Sequence, residues 1–77
     1  NPFSDTALVK YHVEHATDLS ITVYDLLGRK VQTLFHAPVS AGSHQMEWQA
    51  EHLANGLYII EVQTETGHKK IRLTLMR

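Results

Sequence analysis

Ile21-Thr22-Val23-Tyr24-Asp25-Leu26-Leu27-Gly28-Arg29-Lys30-Val31 is the stretch that decides the fold. Ile21 and Val23 alternate with Thr22, the period-two pattern of a half-buried strand, and Thr, Val and Tyr suit a pleated surface. The run breaks at Asp25-Leu26-Leu27-Gly28. An aspartate there can accept bonds from the backbone ahead of it, and a glycine three positions later can take positive φ. Such a connection builds on a type I turn closed by a left-handed glycine, so the chain must return antiparallel. Arg29 to Phe35 is therefore the returning strand, with Val31 and either Leu34 or Phe35 packing inward.

The same alternation extends outward from this hairpin. Upstream, Ala7 to Val13 places Val9, Tyr11 and Val13 on one face and Lys10 and His12 on the other. The polar stretch Glu14 to Asp18 turns the chain into Leu19, Ile21 and Val23, with Ser20 and Thr22 facing outward. Downstream, His36 to Gly42 contains Pro38 and Gly42 and reads as a connection, because proline removes a ladder donor. His44, Met46 and Trp48 alternate on the next strand, and Gln49 to Ala54 reads as a loop with one helical turn. Asn55-Gly56, a strong turn dipeptide, launches Leu57 to Thr64 with Tyr58, Ile60 and Val62 on one face. Glu65-Thr66-Gly67-His68 turns into a closing strand on which Ile71, Leu73 and Leu75 alternate with Arg72 and Thr74.

These elements predict an all-β domain: a small immunoglobulin-like β-sandwich of six to seven antiparallel strands. The seventh would come from Phe35 to Val39 or from the Asn1 region, and no central helix is expected. The cysteine–tryptophan–cysteine signature of true immunoglobulins is missing, because the chain has no cysteine.

Seventy-seven residues bound the chain to one domain, 1–77. A domain of this size buries roughly 60% of its unfolded surface, so its stability margin is thin. The lack of cysteine excludes a disulfide staple and any thiolate metal site. The core must form by packing alone, and 43% apolar residues is an ordinary supply for it. The longest apolar run, Leu57 to Ile60, is too short for a membrane span. A start on Asn-Pro-Phe without methionine reads as a fragment of a larger secreted protein, with any targeting peptide upstream.

Charge is unevenly spread. Lys10, Arg29 and Lys30 share residues 1–67 with all eight acids, whereas residues 68–77 hold Lys69, Lys70, Arg72 and Arg77 and no acid. Lysines on an edge strand discourage edge-to-edge pairing, and a segment of one sign can equally mark an interaction surface.

Chemistry is sparse in this pattern. The six histidines fall in separate strands and turns, and His12 and His15 would point to opposite faces of a strand, so no metal or other cofactor is expected. The acids are dispersed, and no nucleophile–histidine–acid arrangement can be assembled, so no enzyme is expected. A sequence pI of 6.6 without basic residues interleaved with aromatics gives no nucleic-acid footprint. Trp48 reads as core, and Tyr24, opposite the Leu19-Ile21-Val23 face, is the better candidate for stacking on a sugar.

Five motifs in order then carry a resemblance. Asn1-Pro2-Phe3 opens the chain, and Tyr24, Asp25, Gly28, Arg29 and Val31 form the second motif. Ala41, Gly42, His44 and Trp48 form the third, Gly56, Leu57 and Tyr58 the fourth, and Lys69 and Lys70 the last. The whole chain resembles the C-terminal sorting domain (type A) of the type IX (Por) secretion system of Gram-negative bacteria. The resemblance implies a signal that directs an attached N-terminal cargo domain across the outer membrane. Its implied partners are the type IX translocon and a surface sortase that removes the tail. Localisation would be periplasmic in transit, then cell-surface or secreted, without membrane insertion of the domain. Within that scheme the expected recognition residues are Lys69, Lys70, Ile71, Arg72, Leu73 and Arg77, by β-augmentation of the last strand. Asn1, Pro2, Tyr24, Asp25, Gly28, Arg29, Gly42, Trp48, Gly56 and Tyr58 would be structural. Two other readings stand beside it: an immunoglobulin-like carbohydrate- or protein-binding accessory module, and an assembly domain similar to part of flagellar hook-capping proteins.

Overall fold

The computed structural model of the chain describes residues 2–3 and 5–77, so Asn1 lies outside the described residues. Seven strands follow in order: β1 (Pro2–Phe3), β2 (Thr6–Val13), β3 (Thr17–Tyr24), β4 (Lys30–Val39), β5 (Gly42–Gln49), β6 (Gly56–Thr64) and β7 (Gly67–Leu75). Five of them form one sheet in the order β1-β7-β6-β3-β4, and β2 pairs with β5 in a second. All pairings are antiparallel except β1 with β7, which is parallel and limited to Pro2↔Thr74 and Phe3↔Leu75. No helix occurs among the described residues.

The inner faces follow the alternation of the sequence. Leu19, Ile21 and Val23 on β3 are fully buried, beside Tyr58, Ile60 and Val62 on β6 and Leu73 and Leu75 on β7. Cross-strand register stacks Ile21 on Val62, Val23 on Ile60 and Ile60 on Ile71. The small sheet contributes Ala7, Val9 and Trp48, and both sheets share one core cluster. Trp48 is the largest fully buried side chain, and its ring meets Tyr58 edge-on with centroids 5.6 Å apart. Edge-to-face aromatic pairs add stability beyond the area they bury. The Tyr58 hydroxyl donates to the Ala54 carbonyl at 2.7 Å, which satisfies its polar end.

The β3–β4 connection has the anticipated chemistry. Gly28 takes φ 81° and its N–H donates to the Asp25 carbonyl at 3.0 Å. Asp25 Oδ1 accepts from the amides of Leu27 and Arg29, and Oδ2 accepts from Arg29 Nε at 2.9 Å. The Arg29 amide above all, with the Arg29 side chain, the Leu27 amide and the guanidinium charge, holds the Asp25 carboxyl below its usual range against the opposing effect of desolvation.

Four readings from the alternation change in three dimensions. First, His36 to Val39 continues β4 instead of connecting strands, with Pro38 opposite Asp18. β4 is the outermost strand of its sheet, where half the amides need no ladder partner and proline is tolerated. Second, β3 and β4 shift register between Ile21 and Thr22 and again between Val23 and Tyr24, which leaves Leu34 and Val31 as the extra residues. A bulge sets two residues against one. Leu34 and Phe35 accordingly both pack on the core, where the alternation offered only one of them. Third, Thr22 faces away from the core yet is buried, because its strand is flanked by β4 and β6 at Thr33 and Glu61. Fourth, Gln49 to Ala54 holds a single hydrogen-bonded turn, Leu53 N to Ala50 O at 3.0 Å, in place of a helical turn. Asn55-Gly56 launches β6 as expected, from a crossover between the two sheets.

Two stability outcomes follow from this packing. Trp48→Ala should cost about 3–5 kcal/mol by the usual range for aromatic truncation, a large share of a small domain's stability. Tyr58→Phe, which leaves the Ala54 carbonyl without its donor, should cost about 1 kcal/mol; urea unfolding followed by circular dichroism checks both. Asp25 has a depressed folded pKa, so its contribution is present above its unfolded pKa and is lost as pH falls. The melting-temperature gap between the native chain and Asp25→Asn should therefore be widest near neutrality, begin to narrow only near the unfolded carboxyl pKa of about 4, and close as pH falls through the lower folded pKa.

Candidate functional site

β7 is where the basic residues of the last segment are displayed, and the register divides them between two faces. Lys69 pairs with Val62, Ile71 with Ile60 and Leu73 with Tyr58, which puts all three on the core side of the sheet. Lys70 pairs with Glu61 and Arg72 with Ile59, on the outer side. Leu73 is buried and Ile71 half-buried, while Lys69, Lys70 and Arg72 are exposed. The apolar members of the segment thus anchor the strand and the cationic ones face solvent. None of Lys69, Lys70 and Arg72 forms an ion pair among the described residues.

β7 is not a free edge over its whole length. β1 covers it at Thr74 and Leu75, so among the described residues the ladder left open on that side runs from Gly67 to Leu73. Open ladder groups are a template for another strand, and lysines are the usual guard on such an edge.

Arg77 has a different setting. Its guanidinium donates to the Ala50 carbonyl at 2.9 Å and to the Leu53 carbonyl, and lies 3.8 Å from Asp5 Oδ1. Its main chain is gripped by Asn55, whose Oδ1 accepts from Arg77 N at 3.1 Å and whose Nδ2 donates to Arg77 O at 3.4 Å. The residue after β7 is therefore tied to the β5–β6 crossover, and the end of β7 is fixed in position.

A cleft opens beside Lys69, where the β2–β5 sheet faces the β6–β7 hairpin. Its larger part, about 530 Å³, is lined by residues of β2 and β5 together with Lys69. An adjoining part of about 280 Å³ reaches Val62, His68 and Ile71 and shares Lys10, Tyr11, His12 and Lys69 with the first. Tyr11 and His44 are cross-strand partners whose rings stack at 5.4 Å, and His44 Nε2 donates to the Ser40 carbonyl at 2.8 Å. Burial raises the Tyr11 hydroxyl above its usual pKa, so it stays neutral. No acidic side chain lines either part of the cleft among the described residues. The alternating pattern places Tyr11 and His44 inward, but their proximity to Lys69 depends on how the two sheets stack.

Tyr24 is half-buried on the outer face between Lys30 and Ile59, and Trp48 is fully enclosed and unavailable for stacking on a ligand. Gly42 opens β5 at φ 131°, and Gly56 opens β6. Pro2 lies in the β1 ladder. No cluster of three or more metal-binding side chains occurs among the described residues, nor is any helix long and apolar enough to cross a membrane.

The family described as "Secretion system C-terminal sorting domain" matches residues 1–75. No curated protein and no solved structure gives a significant match. That family is not known for enzymatic activity. With the match covering nearly all of the sandwich and its closing strand, the chain belongs to the secretion-system C-terminal sorting domains, the sorting signals of type IX secretion.

Proposed function

We propose that this domain carries an attached cargo from the periplasm across the outer membrane by presenting the Gly67–Leu73 edge of β7 to the type IX translocon. Lys69, Lys70, Ile71, Arg72 and Leu73 form the recognised segment, and Arg77 fixes its C-terminal end against the β5–β6 crossover. A surface sortase then separates the tail from its cargo. The observation that carries the reading is the pairing of family membership with an open ladder whose exposed side chains are all basic or polar. Backbone bonds along such an edge supply affinity, and alternate side chains supply register and specificity. Because Ile71, Leu73 and Leu75 belong to the core or pack on it, the segment is displayed only by a folded domain. The carbohydrate-module reading has less support, since the single tryptophan is inside.

The test is export of a periplasmic reporter fused to residues 1–77 in a cell with a working type IX translocon. Truncation before β7 removes core residues and confuses unfolding with loss of signal. The informative variant is Lys69→Gln/Lys70→Gln/Arg72→Gln, which changes exposed side chains only. The native fusion should reach the surface or medium, and the triple variant, folded by circular dichroism, should remain mostly periplasmic. Normal export of the triple variant sinks the edge-recognition reading.

A further inference from the structure

The cleft beside β7 gives the open edge a chemical preference. Lys10, His12, His44, His68 and Lys69 line its two parts, with the neutral Tyr11 ring among them and no acidic side chain from any of β2, β5, β6 or β7 among the described residues. Two acids of the β6–β7 hairpin lie elsewhere. Glu61 lies opposite Lys70 on the outer face, and Glu65 in the β6–β7 turn accepts from Thr17 of β3 at 3.2 Å. The larger part of the cleft is within the size range of ordinary ligand sites.

Two features therefore coincide along Gly67–Leu73: main-chain ladder groups that no described strand pairs on that side, and cationic side chains on both faces of the strand. Lys70 and Arg72 alternate on the outer face and Lys69 stands at the cleft on the inner one. We propose that the partner of this edge is an extended acidic peptide segment. It adds as a strand beside β7, with carboxylates from one of its faces entering the cleft toward Lys69 and those from the other meeting Lys70 and Arg72. Steering by complementary charge speeds encounter and fixes register, while the main-chain ladder holds the segment in place. A compact anion would use the charges and leave the ladder untouched, which separates the two possibilities. The inference rests on the export reading only for the identity of the protein that carries the segment.

The test uses the 77-residue chain and a short capped peptide alternating glutamate with threonine and valine. Its comparators are the same peptide with glutamine for glutamate, and tripolyphosphate. The glutamate peptide should bind, slow amide hydrogen exchange along Gly67–Leu73, and bind at least about tenfold more tightly than the glutamine peptide, the order expected for losing charge-assisted bonds. Lys69→Gln should weaken binding about tenfold by the same reasoning, while Lys30→Gln on β4 leaves it unchanged. Equal binding of the glutamine peptide overturns the proposal. So does binding of tripolyphosphate as tight as that of the glutamate peptide, or exchange protection that falls elsewhere. If Lys69→Gln abolishes peptide binding while the Lys69→Gln reporter fusion is exported normally, the assignment of the acidic segment to the export machinery is overturned and the sorting function stands.

Discussion

Contact between Trp48 and Tyr58 is the interaction on which the sandwich depends. The small sheet has two strands, and an isolated hairpin of that size is marginal in water. Its inner face packs through Ala7, Val9 and Trp48 against the five-stranded sheet. The indole is fully buried and meets the Tyr58 ring edge-on, while the Tyr58 hydroxyl reaches back to Ala54 in the crossover between the sheets. One pair of aromatic residues thus joins the two sheets and the segment that links them. With no cysteine to close the structure covalently, this packing must do what a disulfide does in many small exported domains.

The crossover also couples the core to the proposed recognition edge. Ala50 is buried and its N–H donates to the Asp5 carbonyl, while its own carbonyl receives the Arg77 guanidinium. Asn55 holds the main chain of Arg77 on both sides. The end of β7 is therefore positioned by the same six-residue region that positions Tyr58. Display of the basic strand and integrity of the core are consequently one property, which suits a signal read only in its folded form.

The proposed recognition surface is built by division of labour along a single strand. On its core side β7 changes from a solvent-facing lysine at position 69 to buried leucines at 73 and 75, and β1 covers only the buried end. The exposed end is left with open ladder groups and positive charge. This arrangement opposes pairing with another copy of the same basic edge and favours a strand of opposite charge.

Strand identity and the β3–β4 turn were determined locally. Period-two alternation needs no partner to be read, and the Asp25–Gly28 turn makes its bonds within five residues, so Leu19, Ile21, Val23, Tyr58, Ile60 and Val62 were legible as core. The ordered motifs likewise made the family legible. Other features depend on residues far apart in the chain. That Leu34 and Phe35 both pack inward follows from two register shifts against β3, and that Pro38 can sit in a strand follows from β4 being outermost. Asn55 resembled a turn residue, but its partner is Arg77, twenty-two positions away. The basic segment was visible in the sequence; its division between two faces, the β1 cover over its end and the acid-free cleft beside Lys69 were not. Those were decided by pairing and sheet stacking, because the alternation specifies which side of a strand a residue takes and not what lies across from it.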